Sequence, residues 1–154
     1  MEGFVNLVNE MTTTAPIDTT TLANRLRPVL VKLNRELRRE IHSLGVTGGQ
    51  VSLLALIRRD PGVGVRELAA RERMSAPGMS KSVARLEAAG LVARTELPDR
   101  RRVGLVLTPA GERVLRSVRS RRTAWLAERL RGLSDDELAA VDAAIEPLTE
   151  LIGE

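Results

Sequence analysis

Leucine and isoleucine return every three or four positions from Leu22 through Leu26, Leu30, Leu33, Leu37 and Ile41 to Leu44. That spacing lays one apolar stripe along a helix and predicts a long amphipathic helix over 18–45, with Asp18 as its N-cap. Pro28 lies inside it and is expected to bend the helix or mark its effective start. A second helix begins at Thr47, where TGGQ matches a capping box, and carries Leu53, Leu54 and Ile57 towards Arg59. DPGVG at 60–64 is a breaker, and a short third helix follows over 66–73 with Leu68 and Ala69 inward.

The next stretch, SAPGMSKSVARLEAAGLV, departs from the pattern. Ser75 is a natural N-cap, and Pro77 and Gly78 fall in the first turn, where the backbone N–H groups lack helical partners anyway. Met79, Val83 and Leu86 make a compact apolar back, while Ala76, Gly78, Ser80, Lys81 and Arg85 lie on other faces. Gly90 is placed to end the helix. Two strand-like runs, 91–97 and 103–108, flank PDRRR at 98–102, so a hairpin with three consecutive arginines at its tip is expected. Thr108 and Pro109 open a fifth helix that runs to about Leu130. After the SDDE capping box at 134–137, the last helix repeats Leu138, Val141, Ile145, Leu148 and Ile152, a seam suited to another helix.

Charge sharpens this picture. Residues 58–122 hold 16 Arg or Lys against 7 Asp or Glu, whereas residues 123–154 hold 2 against 8. A basic middle ahead of an acidic end points to a polyanion as partner for the middle. One Phe, one Trp and no Tyr leave an aliphatic core. Without cysteine there is no thiolate ligand, nucleophile or redox switch. A single histidine and the absence of a Gly-rich phosphate loop argue against an enzyme, and no cofactor or metal is expected. No run reaches the roughly 20 apolar residues of a membrane span. Residues 1–17 read as a disordered leader without signal-peptide character, and a cytoplasmic location is expected.

Helix, turn, helix and basic-tipped hairpin is the order of a winged helix-turn-helix, whose second helix enters the DNA major groove with its N-terminal residues at base edges. Small residues at 76–78 allow that close approach. Ser80, Lys81 and Arg85 are the candidates for bases or phosphates, and Arg100, Arg101 and Arg102 for the minor groove. The same order would also fit a winged-helix module that binds protein or RNA without reading an operator.

The segments VTGGQ (46–50), VRELAARERMSAPGMSKSVARLEAAGLVAR (65–94) and DRRRVGLVLTPAG (99–111) carry a resemblance to the MarR family of bacterial transcriptional regulators, over roughly residues 20–154. The resemblance implies a mainly α fold with a small β-hairpin, a winged helix-turn-helix plus N- and C-terminal dimerisation helices. The corresponding division is 1–17 leader, 18–45 N-terminal dimerisation helix, 46–108 DNA-binding lobe and 109–154 C-terminal dimerisation helices. It further implies a homodimer on a palindromic double-stranded operator, more often a repressor, with Leu22, Leu26, Leu138, Val141, Ile145, Leu148 and Ile152 as interface candidates. Ser75, Ala76, Pro77, Gly78, Ser80, Lys81 and Arg85 match the family's recognition helix and its cap. Asp99 and Arg101 match the wing's Asp-x-Arg pair, the Asp orienting the turn and the Arg entering the minor groove. Family members are released from DNA by small lipophilic or phenolic anions bound between dimerisation helices and DNA-binding lobe. An effector of that kind is therefore expected here, with its pocket residues unassigned.

Overall fold

The computed structural model describes residues 17–96 and 103–153, in two compact units that meet at the Glu36–Leu37 bond. Helix α1 (Thr19–Arg39) begins where expected. Asp18 accepts the Thr21 N–H at 2.8 Å, and bonding to Thr21 holds its carboxyl below the usual range. The helix runs through Pro28, which therefore does not mark its start; a proline there leaves the carbonyl one turn back without its helical donor.

The periodicity predicts a first helix that reaches residue 45, but the helix stops short of it. It stops at Arg39, and a 3-10 turn (His42–Leu44) follows, closed by Gly45 at φ +70°. The break swings Ile41 into full burial and brings Leu44 against the core, while His42 stays exposed. Their spacing matches a continuing helix, so the pattern hides the turn.

Thr47 and Gln50 form the predicted reciprocal cap of α2 (Gly48–Arg59), at 2.8 and 3.2 Å. Helices α3 (Val65–Arg71) and α4 (Ala76–Ala88) follow. Leu54, Ile57, Leu68, Met79, Val83 and Leu86 are fully buried in one core. The turn between α3 and α4 contains Arg73 at φ +52°, the sole non-glycine residue in that region among the described residues. Such a conformation costs on the order of 1 kcal/mol relative to glycine.

Strands β1 (Val92–Glu96) and β2 (Val103–Leu107) pair antiparallel, Val92 opposite Leu107 and Glu96 opposite Val103. The 60–64 breaker also does something its composition does not announce. Gly62 N–H donates to Leu105 O at 2.8 Å, and Leu105 N–H to Val63 O at 3.0 Å, so Val63 forms an isolated antiparallel bridge to β2. Gly104 crosses the Gly62 backbone so closely that a Cβ would stand 2.5 Å from Gly62 Cα.

Helix α5 (Pro109–Leu130) is anchored through Thr108. The Thr108 N–H donates to Leu91 O at 3.1 Å, and its hydroxyl donates to Gly90 O at 2.6 Å and accepts the Gly111 N–H at 3.1 Å. Gly111 has no room for a side chain, because a Cβ would overlap the Leu91 carbonyl. The start of α5 is thereby fixed to the end of α4, where Gly90 takes φ +69°.

Helix α6 (Asp135–Glu150) opens on the predicted Ser134–Glu137 capping box. The Ser134 backbone N–H holds the Glu137 carboxyl below its ordinary range. The helix ends before Ile152, which lies in the closing turn ahead of Gly153 at φ +60°.

Candidate nucleic-acid interface

One side of α4 is apolar and buried, and the opposite side is small, polar and cationic. Ser75 Oγ accepts the Gly78 N–H at 3.2 Å, and Pro77 takes a first-turn position where no N–H is needed. A Cβ on Gly78 would meet Ser75 Oγ at 3.0 Å, so a glycine keeps the cap tight. Ser82 donates back to Gly78 O at 3.1 Å, which occupies its hydroxyl within the helix.

Ala76, Pro77, Ser80, Lys81, Ala84, Arg85 and Ala88 are all exposed, at i, i+4, i+8 spacing in two adjacent rows. Of the residues singled out in sequence, Ser75, Ala76, Pro77, Ser80, Lys81 and Arg85 share this accessible surface, and Gly78 is half-buried at its edge. Ala84 and Ala88 belong to the same stripe, although the sequence reading did not select them. Their signal was the helical period counted back from Met79, Val83 and Leu86. Asp99, Arg100, Arg101 and Arg102 lie outside the described residues. The β1–β2 register ends with Glu96 opposite Val103, so these four belong to the connection between the strands.

Ion pairing decides which cations remain available. Arg71 binds Asp60 at 2.6 Å and Glu67 at 2.5 Å, bonds that raise its pKa and tie α3 to the end of α2. Arg94 grips Glu87 through two bonds of 2.8 and 3.1 Å, which raise its pKa and link β1 to α4. Lys81 and Arg85 have no such partner among the described residues. Asp60, Glu67 and Glu87 are thus committed to holding the elements of the lobe together, and Lys81 and Arg85 on α4 are left without an internal ion pair among the described residues.

A second feature lies where α2 meets α5. A groove of about 310 Å³ has Val51, Leu115 and Val118 as its apolar floor and Arg58, Arg119 and Arg122 at its rim. Arg122 is held by a 3.4 Å bond from its Nε to Leu37 O. Elsewhere, α6 buries none of its residues and leaves Val141 and Ile145 exposed at 44% and 58%, and on α1 Leu22 is exposed at 45%. Among the described residues no three His, Cys, Asp or Glu side chains gather as a metal set would, and no helix is long and apolar enough to cross a membrane.

The profile of the MarR family matches residues 44–102, the span from the end of the 3-10 turn through the wing connection. An HTH-type transcriptional regulator of Mycobacterium tuberculosis is 31% identical over 134 residues, covering 86% of this chain and 94% of that one. The HTH-type transcriptional repressor MdtR of Bacillus subtilis is 30% identical over 114 residues, 73% of this chain and 74% of that protein. Among solved structures, a putative transcriptional regulator of Pseudomonas aeruginosa superimposes with a TM-score of 0.77 at 33% identity, over 88% of this chain and 96% of that one. A MarR family protein of Bacillus stearothermophilus superimposes at 0.73 with 25% identity, over 88% and 95%. With its helix pair and two-stranded hairpin, the chain belongs to the MarR family of helix-turn-helix transcriptional regulators.

Proposed function

We propose that this regulator is a homodimeric repressor that places α4 of each protomer in the major groove of an inverted-repeat operator. The exposed stripe of α4 carries this reading: small residues at the capped end permit contact with the duplex, and Lys81 and Arg85 supply unpaired donors behind them. Arg100, Arg101 and Arg102 at the hairpin connection approach the minor groove, with Asp99 orienting the turn. Residues 46–108 act as the reading lobe, and 18–45 with 109–154 as the dimerisation helices. Leu22, Leu26, Leu138, Val141, Ile145, Leu148 and Ile152 provide the apolar contact between copies. Two recognition helices then stand about 34 Å apart, one turn of DNA. The protein works in the cytoplasm, where its DNA is.

Fluorescence anisotropy against the DNA upstream of its own gene and a shuffled control tests the operator reading. Tight, shuffle-sensitive binding with a steep salt dependence is expected. The double substitution Lys81→Ala with Arg85→Ala should weaken operator binding by about 100-fold, at about 1.4 kcal/mol for each lost contact. Equal, weak binding of both DNAs by the wild-type protein would sink this reading and favour a winged-helix module that contacts protein or RNA.

The groove between α2 and α5 supports release by an effector, because its floor is apolar and its rim cationic. A small lipophilic or phenolic anion fits that chemistry. Thermal shift with a panel of aromatic carboxylates should show stabilisation that Arg119→Ala abolishes. A panel without effect on either protein would remove the groove from the proposal.

A further inference from the structure

The helix-turn-helix turn holds an arginine where the backbone calls for glycine. Arg73 takes φ +52°, its N–H bonds Ala70 O at 3.3 Å, and the following Met74 N–H bonds Ala69 O at 2.9 Å. This closure of α3 needs a left-handed residue, and four glycines of the same chain adopt that region without a Cβ to hinder them. A strained side chain with a compensating contact inside the protein would be unremarked. Arg73 is exposed, and among the described residues its guanidinium has no hydrogen bond or ion pair.

The acids nearest in sequence do not serve it. Asp60 and Glu67 are both bound by Arg71. Glu72 lines a cleft with Arg58 and Arg59, which puts it on the α2 side of the lobe. Glu87 is bound by Arg94. A free cation kept at the expense of backbone strain marks a residue whose partner lies outside the chain. Arg73 also stands two residues before the Ser75 cap, at the edge of the exposed α4 stripe.

We infer that Arg73 is an additional DNA-binding residue, a phosphate clamp in the helix-turn-helix turn that seats α4 on the duplex backbone and trades folded-state stability for affinity. The inference rests on the proposed operator reading. Being a phosphate contact, it adds affinity for any DNA sequence and leaves base selection to α4 and the wing.

The test compares Arg73→Gly and Arg73→Lys with wild type by thermal melting and by anisotropy on operator and shuffled duplexes across a salt series. Arg73→Gly relieves the strain and should raise Tm by about 3 °C. The same variant should bind both duplexes about three- to tenfold more weakly, with a log–log salt slope shallower by about 0.9, the value of one phosphate contact. Arg73→Lys keeps the charge and the strain, so its slope and Tm should stay near wild type. An Arg73→Gly protein with wild-type affinity and slope overturns the clamp, and one that melts no higher than wild type overturns the trade. A wild-type protein that binds both duplexes alike overturns the operator reading instead, and the slope difference still decides Arg73. Wild-type protein that binds neither duplex overturns both.

Discussion

Gly104→Val should destabilise the winged lobe by about 3 kcal/mol, the upper range for forcing atoms into a packed site. Its Cβ would stand 2.5 Å from Gly62 Cα and 2.6 Å from the carbonyl carbon, backbone atoms that no rotamer change can move aside. Relief requires separating the Gly62–Val63 segment from β2, which breaks the bonds Gly62 N–H to Leu105 O and Leu105 N–H to Val63 O. Both Val63 and Leu105 are buried, so separation also opens the core. A drop in Tm of about 10 °C should follow in thermal melts. Gly49→Ala is the control with opposite sign, since a Cβ there meets only Thr47 Oγ1 at 4.0 Å and alanine is the better helix former. A Gly104→Val protein that melts with wild type would show that the crossing is looser than described.

If the proposed dimer forms through α6, Ile145→Asp should convert it to monomer and lower operator affinity by at least about 100-fold, because two linked half-sites become one. The argument begins with exposure. Ile145 leaves 58% of its surface in water and Val141, one turn earlier on α6, leaves 44%, on a helix with no buried residue. Neighbouring exposed apolar side chains on an otherwise unburied helix are what a contact with a second copy would cover. A carboxylate introduced at its centre would be desolvated without a partner upon association. Light scattering coupled to gel filtration reads the mass directly, and far-ultraviolet circular dichroism checks that the helices persist. A folded Ile145→Asp protein that remains dimeric places the interface elsewhere.

The elements of this protein were largely legible as pattern. Period and capping chemistry placed α2, α4, α5 and α6, because Thr47, Ser75, Thr108 and Ser134 each bond a backbone N–H three residues ahead, a purely local interaction. The exposed face of α4 was legible for the same reason, since the buried row Met79, Val83 and Leu86 determines which residues face away. The three arginines expected at the hairpin tip lie outside the described residues.

What stayed hidden depends on contacts between distant segments. The end of α1 at Arg39 follows from the burial of Ile41, whose spacing is indistinguishable from a longer helix. The pairing of Val63 with Leu105 joins residues 42 positions apart, and the Gly62–Gly104 crossing that permits it leaves no periodic trace. Ion pairs likewise decide which arginines remain free: Arg71 and Arg94 are consumed, while Arg73 and Arg85 are not. Composition counts all four alike. Sequence alone determined α2, α4, α5 and α6, their caps and the exposed face of α4, because those rest on interactions within a few residues. Tertiary structure alone decided where the first helix stops, how Val63 bridges to the hairpin and which cations stay outside internal ion pairs, because those depend on which distant atoms come within reach.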